Sequence, residues 1–121
     1  MEHYTLDYNN KDLKDTDIND EFFKTNFELI KDHEIIIDLS NNYLTELGTI
    51  KLLQYLLHLD KQSICLNLSN NQINCINNEF ISILINFLDK FNDCRISLQQ
   101  NFHNNNIQDF VHYELLDKII Y

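Results

Sequence analysis

Two eight-residue phrases constrain this chain more than anything else in it: Ile37-Asp38-Leu39-Ser40-Asn41-Asn42-Tyr43-Leu44 and Leu66-Asn67-Leu68-Ser69-Asn70-Asn71-Gln72-Ile73. Both put apolar residues at the first, third and eighth positions and Asn at the sixth. The frame recurs from Ile96, with Asn101 at the sixth position and His103 at the eighth, and from Leu6, with Lys11 at the sixth. The starts at residues 6, 37, 66 and 96 are 31, 29 and 30 residues apart. An apolar residue also stands two places ahead of each start, at Tyr4, Ile35, Ile64 and Cys94. Successive side chains of a strand point to opposite faces, so positions one and three share a face. The Asn that closes the strand can both donate and accept, and so can satisfy backbone groups left unpaired by the turn. Self-similarity at this period predicts stacked strand–helix units.

Between these phrases the apolar spacing changes to that of helices. Asp17-Ile18-Asn19-Asp20 reads as a helix start, with carboxylates favoured by the dipole of the first turn. Phe22, Phe23, Phe27 and Ile30 then form a buried stripe. The two extra residues of this first unit are expected in the turn before that helix. Thr45 is the expected N-cap of a second helix ending near Asp60, with Leu47, Ile50, Leu53, Leu56 and Leu57 buried. Its counterpart is expected to begin at Asn74 and to bury Ile81, Leu84, Ile85 and Leu88. A last helix carries Ile107, Phe110, Val111, Leu115 and Leu116. Counting ten and fourteen residues from each motif Asn pairs Leu52 with Leu56, Ile81 with Ile85 and Val111 with Leu115.

Whole-chain numbers narrow the function classes. A length of 121 residues fits one domain, and 44% hydrophobic residues is ordinary for a globular chain. The formal charge of −10 opposes binding to nucleic acid phosphates and to anionic membrane surfaces. The start Met1-Glu2-His3-Tyr4-Thr5-Leu6-Asp7 lacks the basic and apolar regions of a secretory leader. Cys65, Cys75 and Cys94 form an odd set without C-x-x-C spacing, which reads as reduced thiols of an intracellular, cytoplasmic protein. One Gly and no Pro, with abundant Asn, Ile and Lys, points to an AT-rich coding genome.

Asn71-Gln72-Ile73, and Asn42-Tyr43-Leu44-Thr45-Glu46-Leu47-Gly48 followed by a Leu-rich helix, carry a resemblance to leucine-rich repeat proteins of the ribonuclease-inhibitor-like class. It covers roughly residues 4–118. The resemblance implies an α/β solenoid, with parallel strands on its concave side and helices on its convex side. Repeats would span 4–34, 35–63, 64–93 and 94–121 of a single domain, 1–121. The chain departs from the family pattern at His3, Glu34, Ser63 and Asp93, where an apolar residue is usual three places before each start. It also has Asn77 in the place that Gly48 occupies one repeat earlier. These departures bear on the strand edges.

Strand parity predicts the concave face. Its columns are Thr5, Ile36, Cys65 and Arg95; then Asp7, Asp38, Asn67 and Ser97; then Asn9, Ser40, Ser69 and Gln99. Such a surface is small, polar and suited to hydrogen bonding with a protein or peptide. The plain alternative is a solvated sheet face with no ligand. Asn42, Asn71 and Asn101 are expected to form a structural ladder. The apolar terminus, Leu116 with Ile119, Ile120 and Tyr121, either docks against a partner or a second copy, or folds back as the chain's own cap.

Other motifs have plainer readings. Asp15-Thr16-Asp17-Ile18-Asn19-Asp20 imitates half of a calcium loop but has Asp20 where Gly is needed and Asn26 where Glu is needed, so helix capping explains it better. His3, His33, His58, His103 and His112 show no zinc-binding spacing, and no base is placed to activate Cys65 or Cys75. Asn67-Leu68-Ser69 matches a glycosylation acceptor but is also simply the repeat motif. No Gly-rich phosphate loop exists. No cofactor or metal is expected.

The reading is a non-enzymatic protein-binding module, an adaptor, inhibitor or scaffold, whose acidic surface favours a basic partner. The alternative is a structural subunit of a larger assembly or virion, held through its apolar C-terminal end. A catalytic or GTPase-activating role would need an Arg in a turn, and Arg95 is expected on a strand.

Overall fold

Strands β1 (Tyr4–Asp7), β2 (Glu34–Asp38), β3 (Ser63–Asn67), β4 (Asp93–Ser97) and β5 (Ile119–Ile120) form one all-parallel sheet in chain order. The structure is a computed structural model, and it describes residues 3–31, 34–61, 63–74, 76–91, 93–101, 107 and 111–121. Parallel neighbours need a crossover between them. Helices α1 (Asp20–Phe27), α2 (Glu46–Leu56) and α3 (Asn78–Lys90) supply the first three, and α4 (Tyr113–Leu116) precedes β5. The class is α/β.

Pairing follows the period. Leu6, Ile37, Leu66 and Ile96 stand in one row across four strands, and Tyr4, Ile35, Ile64 and Cys94 in another. The row from Leu6 is buried, together with Leu39, Leu68 and Leu98, in one cluster with the inward residues of the helices. One sheet face is therefore covered. Strands β2, β3 and β4 begin at Glu34, Ser63 and Asp93, three of the four polar positions noted three places before each start. The fifth strand is unforeseen. Ile119 pairs with Ile96 and Ile120 with Ser97, so the C-terminus closes the β4 edge with its own backbone.

Asn and Thr side chains start α1, α2 and α3. Asn19 accepts from the Phe22 amide at 3.0 Å and Asn77 from the Phe80 amide at 2.8 Å, while Thr45 caps α2 through the Leu47 amide. The cap of α3 therefore lies three residues later than the expected Asn74. Its deeply buried residues are Phe80, Leu84, Phe87 and Leu88, while Ile81 and Ile85 are half-buried. Two Phe rings bury more apolar area than the Ile pair, which favours this face. α2 ends at Leu56 rather than near Asp60. Its Leu47 is 62% exposed, because Gly48 and Thr49 take the inner side of the first turn. The last helix is only Tyr113–Leu116, and Ile107 and Val111 are buried ahead of it. Phe110, Cys75, His33 and His103 lie outside the described residues.

The motif Asn residues link neighbouring units. Asn101 Oδ1 accepts from the amides of Asn71 and Ile73, both at 3.1 Å, and its Nδ2 donates to the Leu68 and Leu98 carbonyls. Asn71 likewise accepts from the Leu44 amide and donates to Leu39 and Leu68. Asn42 accepts from Lys11 and Leu13 and donates to Tyr8 and Leu39. Each Asn reaches back to the preceding unit. In the first unit Lys11 stands at this position.

Two further features recur from unit to unit. Asn10, Asn41, Asn70 and Gln100 all have positive φ, between 54° and 61°. Asn tolerates this left-handed conformation better than other residues with a side chain, and the chain's single Gly is elsewhere. On the other side of the fold, Lys61 Nζ donates to the Ile30 carbonyl and Lys90 Nζ to those of Leu57 and Leu59. Lys118 Nζ donates to the Leu88 and Phe91 carbonyls. These cations satisfy backbone acceptors at or just beyond the C-terminal ends of α1, α2 and α3.

Candidate functional site

The uncovered face of the sheet carries the residues that strand parity assigned to it. Thr5, Ile36, Cys65 and Arg95 stand in one row, and Asp7, Asp38, Asn67 and Ser97 in the next. Each of these side chains is exposed or half-buried. Because β5 extends the sheet, Ile120 joins the second row beside Ser97.

That placement changes the character of the face. A groove of about 350 Å³ runs across it, lined by Ile36, Cys65, Asn67 and Arg95 and closed on the β5 side by Ile120. Ile36 is 38% exposed and Ile120 43%. The expected small, polar surface thus has an apolar centre. Acids frame it: Glu34 and Asp38 flank Ile36 along β2, Asp93 begins β4, and Asp7 lies beside Asp38.

Several polar residues of the face also build the strand ends. Asp38 Oδ1 accepts from the Ser40 amide at 3.0 Å and from Ser40 Oγ at 2.6 Å. Asn67 Oδ1 does the same for Ser69, at 3.0 and 2.7 Å. Asp7 accepts from the Asn9 amide. These are Asx turns, in which a side chain mimics a backbone acceptor. Ser40 is buried and Ser69 half-buried, while Gln99 is exposed and lines the groove.

Cys65 sits at the groove floor with its thiol pushed up from the ordinary value. Burial is the main cause, and the Asp93 and Glu34 carboxylates add to it against the opposing Arg95 guanidinium. A thiol held protonated is a poor nucleophile. Cys94 lies on the covered face, buried, and its thiol is also pushed up, chiefly by burial.

The four C-terminal residues singled out in the sequence separate. Ile119 is buried in the core and is not presented for docking, while Leu116 is half-buried and packs on that core. Ile120 and Tyr121 remain outward, Tyr121 at 51% exposure.

The residues that imitate a calcium loop are engaged as caps. Asp15 accepts from the amide and hydroxyl of Thr45, Asp17 from the Lys14 amide, and Asn19 from the Phe22 amide. Among the described residues no group of three or more His, Cys, Asp or Glu side chains could hold a metal ion. A second depression, about 450 Å³, lies over the turns and is lined by Asn9, Asn10, Asn41, Asn70 and Tyr43. Its amides bond one another, Asn70 Nδ2 to Asn41 Oδ1 and Asn41 Nδ2 to Asn9 Oδ1. Sequence reasoning missed this line, although the doubled Asn at 9–10, 41–42 and 70–71 was its signal.

No protein-family model matches the chain, and no curated protein or solved structure is significantly similar to it. No helix among the described residues is long and apolar enough to cross a membrane.

Proposed function

We propose that this chain is a short leucine-rich repeat solenoid that binds a protein partner through its concave strand face, without catalysis. The four aligned starts and the backward-reaching Asn residues support the repeat reading. The observation that carries the binding reading is the groove between Ile36 and Ile120, whose apolar centre shares the face with the Asp38, Glu34 and Asp93 carboxylates. Exposed apolar surface rimmed by polar groups is what interaction sites have in common. The protonated Cys65 thiol supports a binding role over a nucleophilic one.

A second reading, a structural subunit held through its C-terminal end, draws on the outward Ile120 and Tyr121. Ile120 belongs to the groove as well, so the end and the face are continuous and substitutions must separate them. The test is a photo-crosslinking side chain placed at Ile36, at Tyr121 or, on α2, at Gln54. A discrete crosslinked product from Ile36 alone supports the concave face. A product from Tyr121 alone transfers the function to the end. Products from Gln54 alone, or from none of the three, refute both.

A further inference from the structure

Resting on that reading of the concave face, we propose that its occupant is an extended peptide segment with one large apolar side chain flanked by Lys or Arg. Ile36 and Cys65 are cross-strand neighbours. Cys65 is short, so the row dips beside Ile36, and the groove there accepts a Leu, Phe or Tyr side chain. Glu34 and Asp38 project from the same face of β2, two residues to either side of Ile36. Four residues of strand separate them by about 13 Å, a distance that an extended peptide also covers in about four residues. A basic residue two places before the anchor and another two places after it would therefore meet one carboxylate each.

The electrostatics of the face give the segment its sign and its position. Asp7, Glu34, Asp38 and Asp93 share the face with Arg95. Arg95 stands on β4, so a basic ligand is held toward β2. The Asp38 carboxylate is already oriented, because Ser40 holds its Oδ1 with two hydrogen bonds. Ordering it on binding therefore costs little. The chain's net charge of −10 steers a cationic segment toward it.

The neighbouring repeat shows how to remove the charge without disturbing the fold. Asn67 accepts the same two bonds from Ser69 that Asp38 accepts from Ser40. Asp38→Asn therefore keeps the Asx turn and removes only the charge.

The experiment is a selection of displayed random peptides on the full chain, with affinities of the enriched synthetic peptides measured against four variants. The enriched peptides should share an apolar residue between Lys or Arg. Asp38→Asn and Glu34→Gln should each weaken them about two- to fivefold, as for exposed charge pairs. Ile36→Glu should weaken them about tenfold or more, Gln54→Lys should change nothing, and added salt should weaken binding. Peptides that respond to Ile36→Glu but lack basic residues and ignore Asp38→Asn would overturn this proposal and leave the binding face standing. Peptides indifferent to Ile36→Glu would overturn both. Failure to enrich any peptide would overturn the proposal and leave the face to folded partners.

Discussion

Asp15 and Gly48 meet across two units of the fold. The Asp15 carboxylate accepts from the Thr45 amide at 2.8 Å and from the Thr45 hydroxyl, closing the N-terminus of α2 from outside the helix. A Cβ on Gly48 would overlap the Asp15 carboxylate and stand only 3.1 Å from Asp15 Cα. Gly is needed here for space, not for an unusual backbone angle.

Gly48→Ala should therefore destabilise the chain by about 1–3 kcal/mol through overpacking, despite the better helix propensity of Ala. Asp15→Ala alone should cost about 1 kcal/mol as a lost cap. The double variant should cost less than the sum, because the carboxylate that collides is gone. Denaturant titration of the four proteins measures the coupling.

Asn71 makes four hydrogen bonds to backbone groups of its own and the preceding unit. Asn71→Ala leaves buried donors and acceptors unpaired and should cost about 3 kcal/mol. Lys11→Ala, at the corresponding position of the first unit, removes an exposed side chain and should stay within about 0.5 kcal/mol. Equal losses at the two positions would refute the one-directional ladder.

Gln100 has a φ of 61° where the earlier units use Asn. Gln100→Gly should raise stability by up to about 1 kcal/mol, since the left-handed conformation is costly for a residue with a long side chain. Gln100→Asn should give part of that gain and Gln100→Val should lose stability. A thermal melt of the three variants orders them.

Cys65 and Cys94 are both pushed up from an ordinary value of 9.0, chiefly by burial. The folded state then holds its thiol protons more tightly than the unfolded state. Their contribution to stability is full below the unfolded value and is lost as pH rises through the folded one. Stability should thus fall above about pH 9, and Cys65→Ala should flatten that decline. In a Cys75→Ser background, alkylation should reach half-buried Cys65 before buried Cys94. Faster labelling of Cys94 would contradict the placement.

The strands and their register were legible because a period of about 30 residues repeats the same apolar positions, and strand parity then divides each strand into two faces. This is local information, written in residues such as Leu6, Ile37, Leu66 and Ile96. The helix faces were less legible. The expected stripe of α3 was Ile81, Leu84, Ile85 and Leu88; Leu84 and Leu88 are buried, but Phe80 and Phe87 take the deep positions expected for Ile81 and Ile85.

Residues 4–101 thus carried the order of the first four strands, the covered and uncovered faces, and the ladder Asn residues within their own spelling. The tertiary structure decided which distant groups share space. It put Asp15 over Gly48, turned Lys61, Lys90 and Lys118 onto the carbonyls of earlier units, and paired Ile119 with Ile96. The last pairing falls 23 residues after the fourth start, off the period, and two residues are too few to alternate. It also put Ile120 on the same groove as Ile36 and Cys65. Periodicity reports what a residue shares with its equivalents one repeat away. Packing partners that break the period are chosen only when the chain has closed and the backbone edge at β4 needs covering.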